Sequence, residues 1–359
     1  MTVPDRNDAG EEVLRAAEDF FFNEVRPNAN QIDQELTALV AALDRMAELG
    51  LLGLRVPVEH GGHGVKDKSF RHFQEASARA SGALAFLQTQ HQSACGFIAS
   101  SSNAAAQKRF LPPMASGDVR MGIAFSQLRR PGPPMMTATQ VDGGYVFDGV
   151  APWITGWGIF GWCVFAGTLP SGESAWGIGE LKPSRSFKPS QVMRLAALEV
   201  AQTISATLDS YFVPDEAIIH IRPPDWIHEN DSLNLALQSP FALGCAQAGI
   251  DIVLAAHKSK PLAGILDAAS ALQAELDDCR TEAYAAMDDK GNLERSLRAR
   301  AWAIELAGRC SHAGVVASSG KGNSMSSDAQ RVYREALVFS VSAQTPAILE
   351  ATLARLIKK

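Results

Sequence analysis

Apolar positions follow a helical spacing through the first third of the chain. They recur every three or four residues through Val13–Phe22 and Leu36–Leu52, and alanine dominates Glu75–Arg109. This periodicity predicts helices over residues 11–118. Val56–Gly64 interrupts them with a proline and three glycines, which is typical of a loop.

The pattern changes between about Met121 and His228. Turn sequences such as Asp142-Gly143-Gly144 separate short runs rich in β-branched and aromatic residues, and Pro223-Pro224 follows the last run. The predicted strands are Met121–Phe125, Tyr145–Phe147, Cys163–Thr168 and Ala206–Val213. We therefore expect a compact β-domain here.

Helical spacing returns from Asn234 to the end of the chain. The predicted helices are Leu235–His257, Leu262–Met287, Leu293–Ala317, Ala329–Val341 and Ala347–Ile357. The expected organisation is an N-terminal helical domain (residues 1–120), a central β-domain (121–228) and a C-terminal helical bundle (229–359). The fold class is α+β, mainly α.

Composition narrows the class of protein. The chain has 359 residues, 46% of them apolar and 20% charged, and a net charge of −6. This balance argues against nucleic acid as the main partner. The acidic N-terminus lacks the apolar core of a secretory signal, and we expect no membrane insertion, because no run reaches about 18 apolar residues. Five cysteines without a C-x-x-C pair suit reduced, mostly buried thiols in the cytoplasm.

Five blocks of the sequence resemble, in order, blocks of the acyl-CoA dehydrogenase family. They are MAELGLLGLRVPVEHGGHGV (46–65), QKRFLPPMASGDVRMGIAFS (107–126), YVFDGVAPWIT (145–155), LDSYFVPDE (208–216) and AQRVYREALVFSVSAQTPAILEATLARL (329–356). The resemblance implies the acyl-CoA dehydrogenase fold, with a C-terminal four-helix bundle. It also implies a flavin held between β-domain and bundle, in a homodimer or homotetramer.

The closing block departs from the family at the position of the catalytic base. Arg334, Glu335 and Ala336 fit the family's R-D-A run, and Thr345 fits the threonine of its E-G-T triplet. Ala343 stands where most members carry the glutamate that removes the substrate's α-proton, and Gln344 replaces the glycine. A methyl group cannot accept a proton at any pKa.

Two segments of the β-domain resemble the family's flavin contacts. In Trp153-Ile154-Thr155, the resemblance implies that the tryptophan flanks the flavin and the threonine hydroxyl bonds to flavin N5. The alternative is a buried strand end with a capping threonine. Phe125 and Ser126 match the family's short hydroxyl position at the end of the first strand. The thioester- and phosphate-binding turn that should follow is absent, and Arg129 and Arg130 either pair with a phosphate or carboxylate or are solvated.

The adenosine half of the cofactor is matched less completely. Gly320 and Gly322 fit the family's glycine turn, with Lys321 as a phosphate partner, although a helix C-cap would use Gly320 equally well. An R-x-x-F-G element that reaches a neighbouring subunit's cofactor is missing around residues 256–264. Lys258 and Lys260 either compensate or are solvated. FAD is the expected cofactor, with FMN as the alternative.

Three residues remain as weak candidates for an acid or base. Some family members carry the glutamate at the start of the C-terminal bundle, near Asn234 here, and Glu229 and Asp231 lie just upstream. Their alternative role is to cap or charge the first turn of a helix. His91 either faces the flavin cavity or is structural. We find no metal-ligand spacing.

The resemblance implies a flavin-dependent oxidoreductase that acts on the CH–CH group of an acyl thioester. Ala343 and the lost thioester-binding turn favour an alternative, a flavin-dependent monooxygenase of the same fold. A second alternative is a non-catalytic partner subunit that binds flavin or an acyl carrier. Trp153-Ile154-Thr155 argues against the latter.

Overall fold

A computed structural model describes residues 8–357 and begins with helices that pack against one another. They are α1 (Asp8–Phe20), α2 (Ala29–Gln34), α3 (Leu36–Glu48), α4 (Asp67–Ala80), α5 (Gly82–Ala99) and α6 (Ala104–Ser116). The alanine-rich stretch is divided because polar side chains cap new helices inside it. Ser81 accepts a hydrogen bond from the backbone N–H of Leu84, and Asn103 accepts from Ala105 and Ala106. The predicted loop contains only a short 3-10 turn, Val58–His60.

The middle of the chain forms one mixed sheet. Its strands are β1 (Met121–Ala124), β2 (Met136–Val141), β3 (Gly144–Ile154), β4 (Trp162–Thr168), β5 (Ser174–Glu180), β6 (Phe187–Pro189), β7 (Ile204–Pro214) and β8 (Ile218–Arg222). The strand order is β6-β7-β3-β2-β4-β5-β8, and β1 pairs in parallel with β4. Sequence periodicity did not predict β2, β5, β6 and β8. In β5, glycines interrupt the apolar pattern because added Cβ atoms at Gly177 and Gly179 would approach Val213 and Tyr211 within 3 Å.

The remaining helices build the bundle. They are α7 (Trp226–Leu233), α8 (Ser239–Ser259), α9 (Ala263–Asp288), α10 (Leu293–Ser318), α11 (Asp328–Val341) and α12 (Pro346–Leu356). The predicted helix Leu235–His257 opens with a 3-10 turn, Leu235–Gln238. Only residues 260–262 join α8 to α9, where the family element is missing from the sequence.

One segment of the bundle qualifies the expectation that no run could span a membrane. The segment Leu235–Ser259 is long and apolar enough, by length and composition, to cross a membrane. An 18-residue window within it has a mean hydropathy of 1.4, and 67% of that window is buried inside the structure. Burial of this kind is typical of the central helix of a bundle, which is apolar on most of its faces.

The core does not follow the three-part division of the sequence. One cluster of buried apolar residues runs continuously from Val13 to Ile227, so the N-terminal helices and the sheet share it. A second cluster fills the bundle and takes in Ala78 from α4 and Ala85 from α5. All five cysteines are buried and free, and burial raises the pKa of their thiols. The expectation of buried thiols is therefore confirmed.

Candidate functional site

The end of β3 exposes a tryptophan beside buried neighbours. Trp153 is 45% exposed, whereas Ile154 is fully buried and Thr155 is 6% exposed. The Thr155 hydroxyl lies 3.1 Å from that of Thr203, and either oxygen can be the donor. If Thr203 donates, the Thr155 proton stays free for another acceptor. This geometry is compatible with the predicted flavin contact and also with the alternative of a buried strand end.

Ser126 follows β1, the strand that pairs in parallel with β4. Thr155 lies close to β1, since an added Cβ at Gly122 would stand 3.2 Å from the Thr155 carbonyl oxygen. Beyond β1, the Ser126 Oγ is buried and has no hydrogen-bond partner within the described chain. A buried unpaired hydroxyl costs free energy, so a polar group from outside the chain is favoured there. The neighbouring Phe125 ring packs 4.7 Å from Trp176.

Arg129 pairs with a carboxylate, which is one of the two interpretations that the sequence left open; the other was a solvated side chain. Its Nε and Nη2 donate to both carboxylate oxygens of Asp231 at 2.6 and 2.8 Å, and its guanidinium lies 5.1 Å from the Phe125 ring. Asp231 is the sixth residue of α7, so its role is this ion pair rather than a helix cap. Glu229 is exposed in the first turn of α7, as its structural interpretation expected. Arg130 is exposed and contacts the Met135 sulfur.

Ala343 lies in a turn held by a buried arginine that the sequence analysis missed. Arg300 of α10 is 3% exposed. Its Nη1 donates to the Leu235 carbonyl at 3.1 Å, and its Nη2 donates to the carbonyls of Ser342 and Ala343 at 2.6 and 3.2 Å. Burial lowers the pKa of Arg300 to about 10, and nearby Asp231 partly offsets this shift. The signal available in the sequence was an arginine in register with the buried positions 296, 303 and 307 of α10.

The Ala343 backbone adopts a left-handed conformation with φ of 47°. Its side chain and that of Gln344 are exposed. Thr345 caps α12, because its hydroxyl oxygen accepts from the Ile348 N–H at 3.4 Å. The turn is therefore set by Arg300 at one end and by Thr345 at the other, with residue 343 directed outward between them.

The two glycines of the turn at residues 319–323 that were predicted to contact the cofactor have different surroundings. An added Cβ at Gly322 would stand 2.9 Å from the Val315 carbonyl, so close packing explains this glycine. An added Cβ at Gly320 would have no atom within 4 Å, which leaves space beside the backbone. Lys260 is not simply solvated, since its Nζ donates to the Ser319 hydroxyl at 2.7 Å.

His91 has the surroundings of a structural residue. It is fully buried. Its Nδ1 accepts from the Met121 N–H at 3.3 Å, which leaves the proton on Nε2 to be donated to the Met114 carbonyl at 3.2 Å. Burial lowers its pKa to about 4. Both nitrogens are therefore used to join α5 to the α6–β1 connection, and neither is available to a substrate in this conformation.

Two cavities lie away from these residues. One of about 210 Å³ is lined by α1 and α4, and one of about 350 Å³ surrounds Arg120 and Trp162. No group of three or more histidine, cysteine, aspartate or glutamate side chains between residues 8 and 357 is arranged to hold a metal ion.

Comparison with known proteins gives matches to the acyl-CoA dehydrogenase family. A model of the acyl-CoA dehydrogenase N-terminal domain matches residues 7–118. The mouse mitochondrial short-chain specific acyl-CoA dehydrogenase is 24% identical over 358 residues, covering 94% of this chain and 87% of that protein. A 3-(aryl)acrylate reductase of Clostridium sporogenes is 26% identical over 149 residues, a match that spans only 39% of the reductase. The structure of butyryl-CoA dehydrogenase from Megasphaera elsdenii superposes with a TM-score of 0.80 at 19% identity, covering all of both chains.

Proposed function

Because this chain belongs to the acyl-CoA dehydrogenase family, we propose that it is a flavin-dependent oxidoreductase acting on the CH–CH group of an acyl thioester. The observation that carries the proposal is Trp153. A large apolar side chain is exposed at the end of a strand whose neighbours are buried, beside the Thr155 hydroxyl, which can donate outward when Thr203 donates to it. The unpaired Ser126 hydroxyl, in the turn that follows β1, fits the same bound group.

The flavin, when bound, supplies the hydride-accepting atom of this chemistry. Thr155 would donate a hydrogen bond to it, and the Trp153 ring would keep water away. Phe125, Ser126 and Thr345 would contact the same group, and Gly320 would leave room for its distal half. The FAD form of the cofactor belongs to this proposal, supported by that open space, and FMN is its alternative.

The mechanism also needs a residue that accepts the α-proton of the substrate. Ala343 cannot accept it, and His91 is enclosed. Of the remaining candidates, Asp231 joins the β-domain to the bundle, whereas Glu229 faces solvent. We therefore favour Asp231 as the acceptor of a substrate proton, on condition that its ion pair with Arg129 opens.

The second candidate function is a flavin-dependent monooxygenase, which needs no base for an α-proton. Ala343 favours it, because the turn at residues 342–345 is held by Arg300 and yet presents only a methyl group at position 343. A non-catalytic subunit that binds flavin or an acyl carrier is the third.

The visible spectrum of the purified protein, followed by extraction of its cofactor, tests the proposal. We expect a flavin spectrum and release of FAD. A colourless protein that neither FAD nor FMN reconstitutes would refute both enzymatic functions and favour the non-catalytic subunit. Oxygen uptake with reduced flavin and a substrate, without anaerobic bleaching by acyl-CoA, would favour the monooxygenase.

Assembly and location complete the proposal. The five buried, free cysteines support a cytoplasmic location. Exposed leucines on the last helices support a homodimer or homotetramer.

A further inference from the structure

The turn that leads into β7 is strained at both of its ends. Leu198 has φ and ψ of 56° and 23°, and Gln202 has φ and ψ of 54° and 62°, so both residues lie in the left-handed region. This region favours glycine, because the Cβ of an L residue comes too close to the following carbonyl oxygen. Each such residue costs free energy that the surrounding structure must offset. We call residues Leu198–Gln202 the strained turn.

The strained turn is held firmly by its surroundings. It packs against helices α2, α3 and α5, and the Leu198 side chain is 3% exposed. The N–H of Gln202 donates to the Glu199 carbonyl at 3.0 Å, and the Glu199 carboxylate accepts from the Leu195 N–H at 3.0 Å. The N-terminal helices and these hydrogen bonds therefore prevent the turn from relaxing.

The strained turn in turn holds the backbone that follows β3. The N–H of Gly156 donates to the Ala201 carbonyl at 2.9 Å, and the N–H of Trp157 donates to the Gln202 carbonyl at 3.0 Å. Each residue has only two soft backbone dihedrals, so a change of conformation at Gln202 redirects its carbonyl. The hydrogen bond to Trp157 thus depends on the left-handed conformation of Gln202.

The residue directly after the strained turn supplies the hydroxyl that contacts Thr155. Thr203 is 3% exposed, and its oxygen lies 3.1 Å from that of Thr155, with either as donor. When Thr203 donates, the Thr155 proton is available to a bound group; when Thr155 donates to Thr203, the Thr155 oxygen accepts from that group instead. A flavin nitrogen changes from acceptor to donor as it takes up a hydride, so this reversible pair suits both states.

A second strained position on β7 has no such connection. Ser210 has φ of 51° beside a β-bulge, it is exposed, and its N–H donates to the Asp148 carboxylate at 2.6 Å. It carries the same kind of backbone strain as Gln202 without contacting the segment after β3. Ser210 therefore provides a matched control for the strain itself.

We propose that the strained turn is a positioning element of the flavin site, in which the backbone of Gln202 and the hydroxyl of Thr203 set the flavin's reduction potential by fixing the Thr155 hydroxyl. This inference rests on the proposed function, and it adds two positioning residues to the same site. Both act through Thr155. The strain is kept because relaxation of the turn would release the backbone on either side of that hydroxyl.

Substitutions at position 202 test the backbone part of the proposal. Asparagine adopts the left-handed conformation, whereas a residue branched at Cβ, such as valine, strongly disfavours it. Gln202→Val should lower the reduction potential of the bound flavin, because the Thr155 donor is displaced from the position where charge develops. It should also weaken flavin binding by about tenfold, the equivalent of one lost hydrogen bond. Gln202→Asn should match wild type in both measurements.

Ser210→Val and substitutions of Thr203 complete the test. Ser210→Val imposes comparable backbone strain and should leave the potential unchanged. Thr203→Val keeps the side-chain shape without the hydroxyl and should lower the potential, while Thr203→Ser should retain it. An unchanged potential in Thr203→Val, or in a folded Gln202→Val, would overturn the proposal, as would an equal shift in Ser210→Val. If Gln202→Val fails to fold, the two Thr203 variants decide.

Hydrogen exchange gives a measurement that needs no flavin. The amides of Gly156 and Trp157 should exchange slowly in wild type, Gln202→Asn and Ser210→Val, and faster in Gln202→Val. Equal rates in all four proteins would overturn the proposal, because the turn would then not hold this backbone.

The potentials also separate this proposal from the proposed reaction. A flavin that acyl-CoA does not bleach, but whose potential depends on the Thr203 hydroxyl, would refute the reaction and support the positioning role. A flavin that acyl-CoA bleaches, and whose potential is the same in Thr203→Val, would retain the reaction and refute the positioning role. A protein that binds no flavin would refute both.

Discussion

At the residue scale, the paired hydroxyls of Thr155 and Thr203 give the flavin assignment a measurable consequence. Thr155→Ala removes the hydroxyl that would donate to the cofactor, and it should lower the flavin's reduction potential or slow its reduction while the fold is kept. Thr203→Ala should have a smaller effect, because it removes only the partner that orients Thr155. The potential measured against a reference dye, with Thr139→Ala on an exposed strand position as control, checks this. A Thr155→Ala protein with wild-type spectrum, flavin affinity and reduction rate would contradict the assignment.

Ala343 provides the second test at this scale. General-base participation contributes about 10²–10⁴-fold, so the ordinary dehydrogenation should be very slow in the wild-type protein. We expect no bleaching of the flavin within seconds of anaerobic mixing with straight-chain acyl-CoAs. Ala343→Glu should gain bleaching, since the side chain at 343 points outward and has room for a carboxylate. Ala354→Glu, another exposed alanine, should not.

The Ala343 result has two informative alternatives. Rapid bleaching by the wild-type protein would mean that another base exists, and Asp231→Asn and Glu229→Gln would identify it. If Ala343→Glu does not gain activity, the Gln344 side chain blocks the thioester, because it occupies space that a glycine would leave free. The double variant Ala343→Glu/Gln344→Gly should then bleach the flavin.

At the element scale, His91 is the point at which α5 is joined to β1, and this junction should be sensitive to acid. In the folded protein, burial lowers the pKa of His91 to about 4, below the value of 6.5 for an exposed histidine. The unfolded chain therefore binds a proton first as the pH falls. The free energy of unfolding is therefore unaffected by His91 protonation above pH 6.5. It decreases as the pH falls toward 4, by about 3 kcal/mol for this group.

Urea unfolding at pH 7 and pH 4 measures the effect. His91→Gln should be less stable than wild type at pH 7, because the Met121 N–H and the Met114 carbonyl lose a well-placed partner. The difference between the two proteins should narrow toward pH 4. Parallel stability curves for both proteins would show that His91 does not titrate on unfolding.

Elements differ in how far the sequence predicts them, and the reason is the range of the interactions that form them. Helices α8 to α12 were predicted to within a few residues because their apolar spacing is local, whereas α7 was not predicted. Strand β5 was missed because its glycines exist to admit Val213 and Tyr211, which are remote in sequence. The same holds at the site. Trp153 and Thr155 belong to a contiguous motif, whereas Arg129 and Asp231 meet across 102 residues, and Arg300 acts only through carbonyls of other segments.

For the whole molecule, exposed leucines on the last helices indicate where copies meet. Leu349, Leu353 and Leu356 are 41%, 54% and 61% exposed at helical spacing on α12. Tyr333, Leu337 and Val341 form a second exposed series on α11. The resemblance implies a homodimer or homotetramer, and these side chains are the strongest structural support for it, since apolar surfaces of several hundred Å² mark interfaces.

Light scattering at micromolar concentration should therefore report a multiple of the 38.4 kDa chain. The double variant Leu349→Glu/Leu353→Glu should shift the protein toward the monomer. Val58→Glu, which charges an equally exposed apolar residue of the N-terminal region, should leave assembly unchanged. A monomeric wild-type protein would refute assembly altogether.

The single core shared by the N-terminal helices and the sheet has a consequence for biosynthesis. Helices α1–α6 leave the ribosome first, yet the apolar surfaces that they bury face strands that have not been made. At about 5–20 residues per second, roughly 100 further residues take about 5–20 s to appear. During that interval the nascent chain exposes apolar surface, and we expect it to depend on holding chaperones until the last strand, β8, has been made.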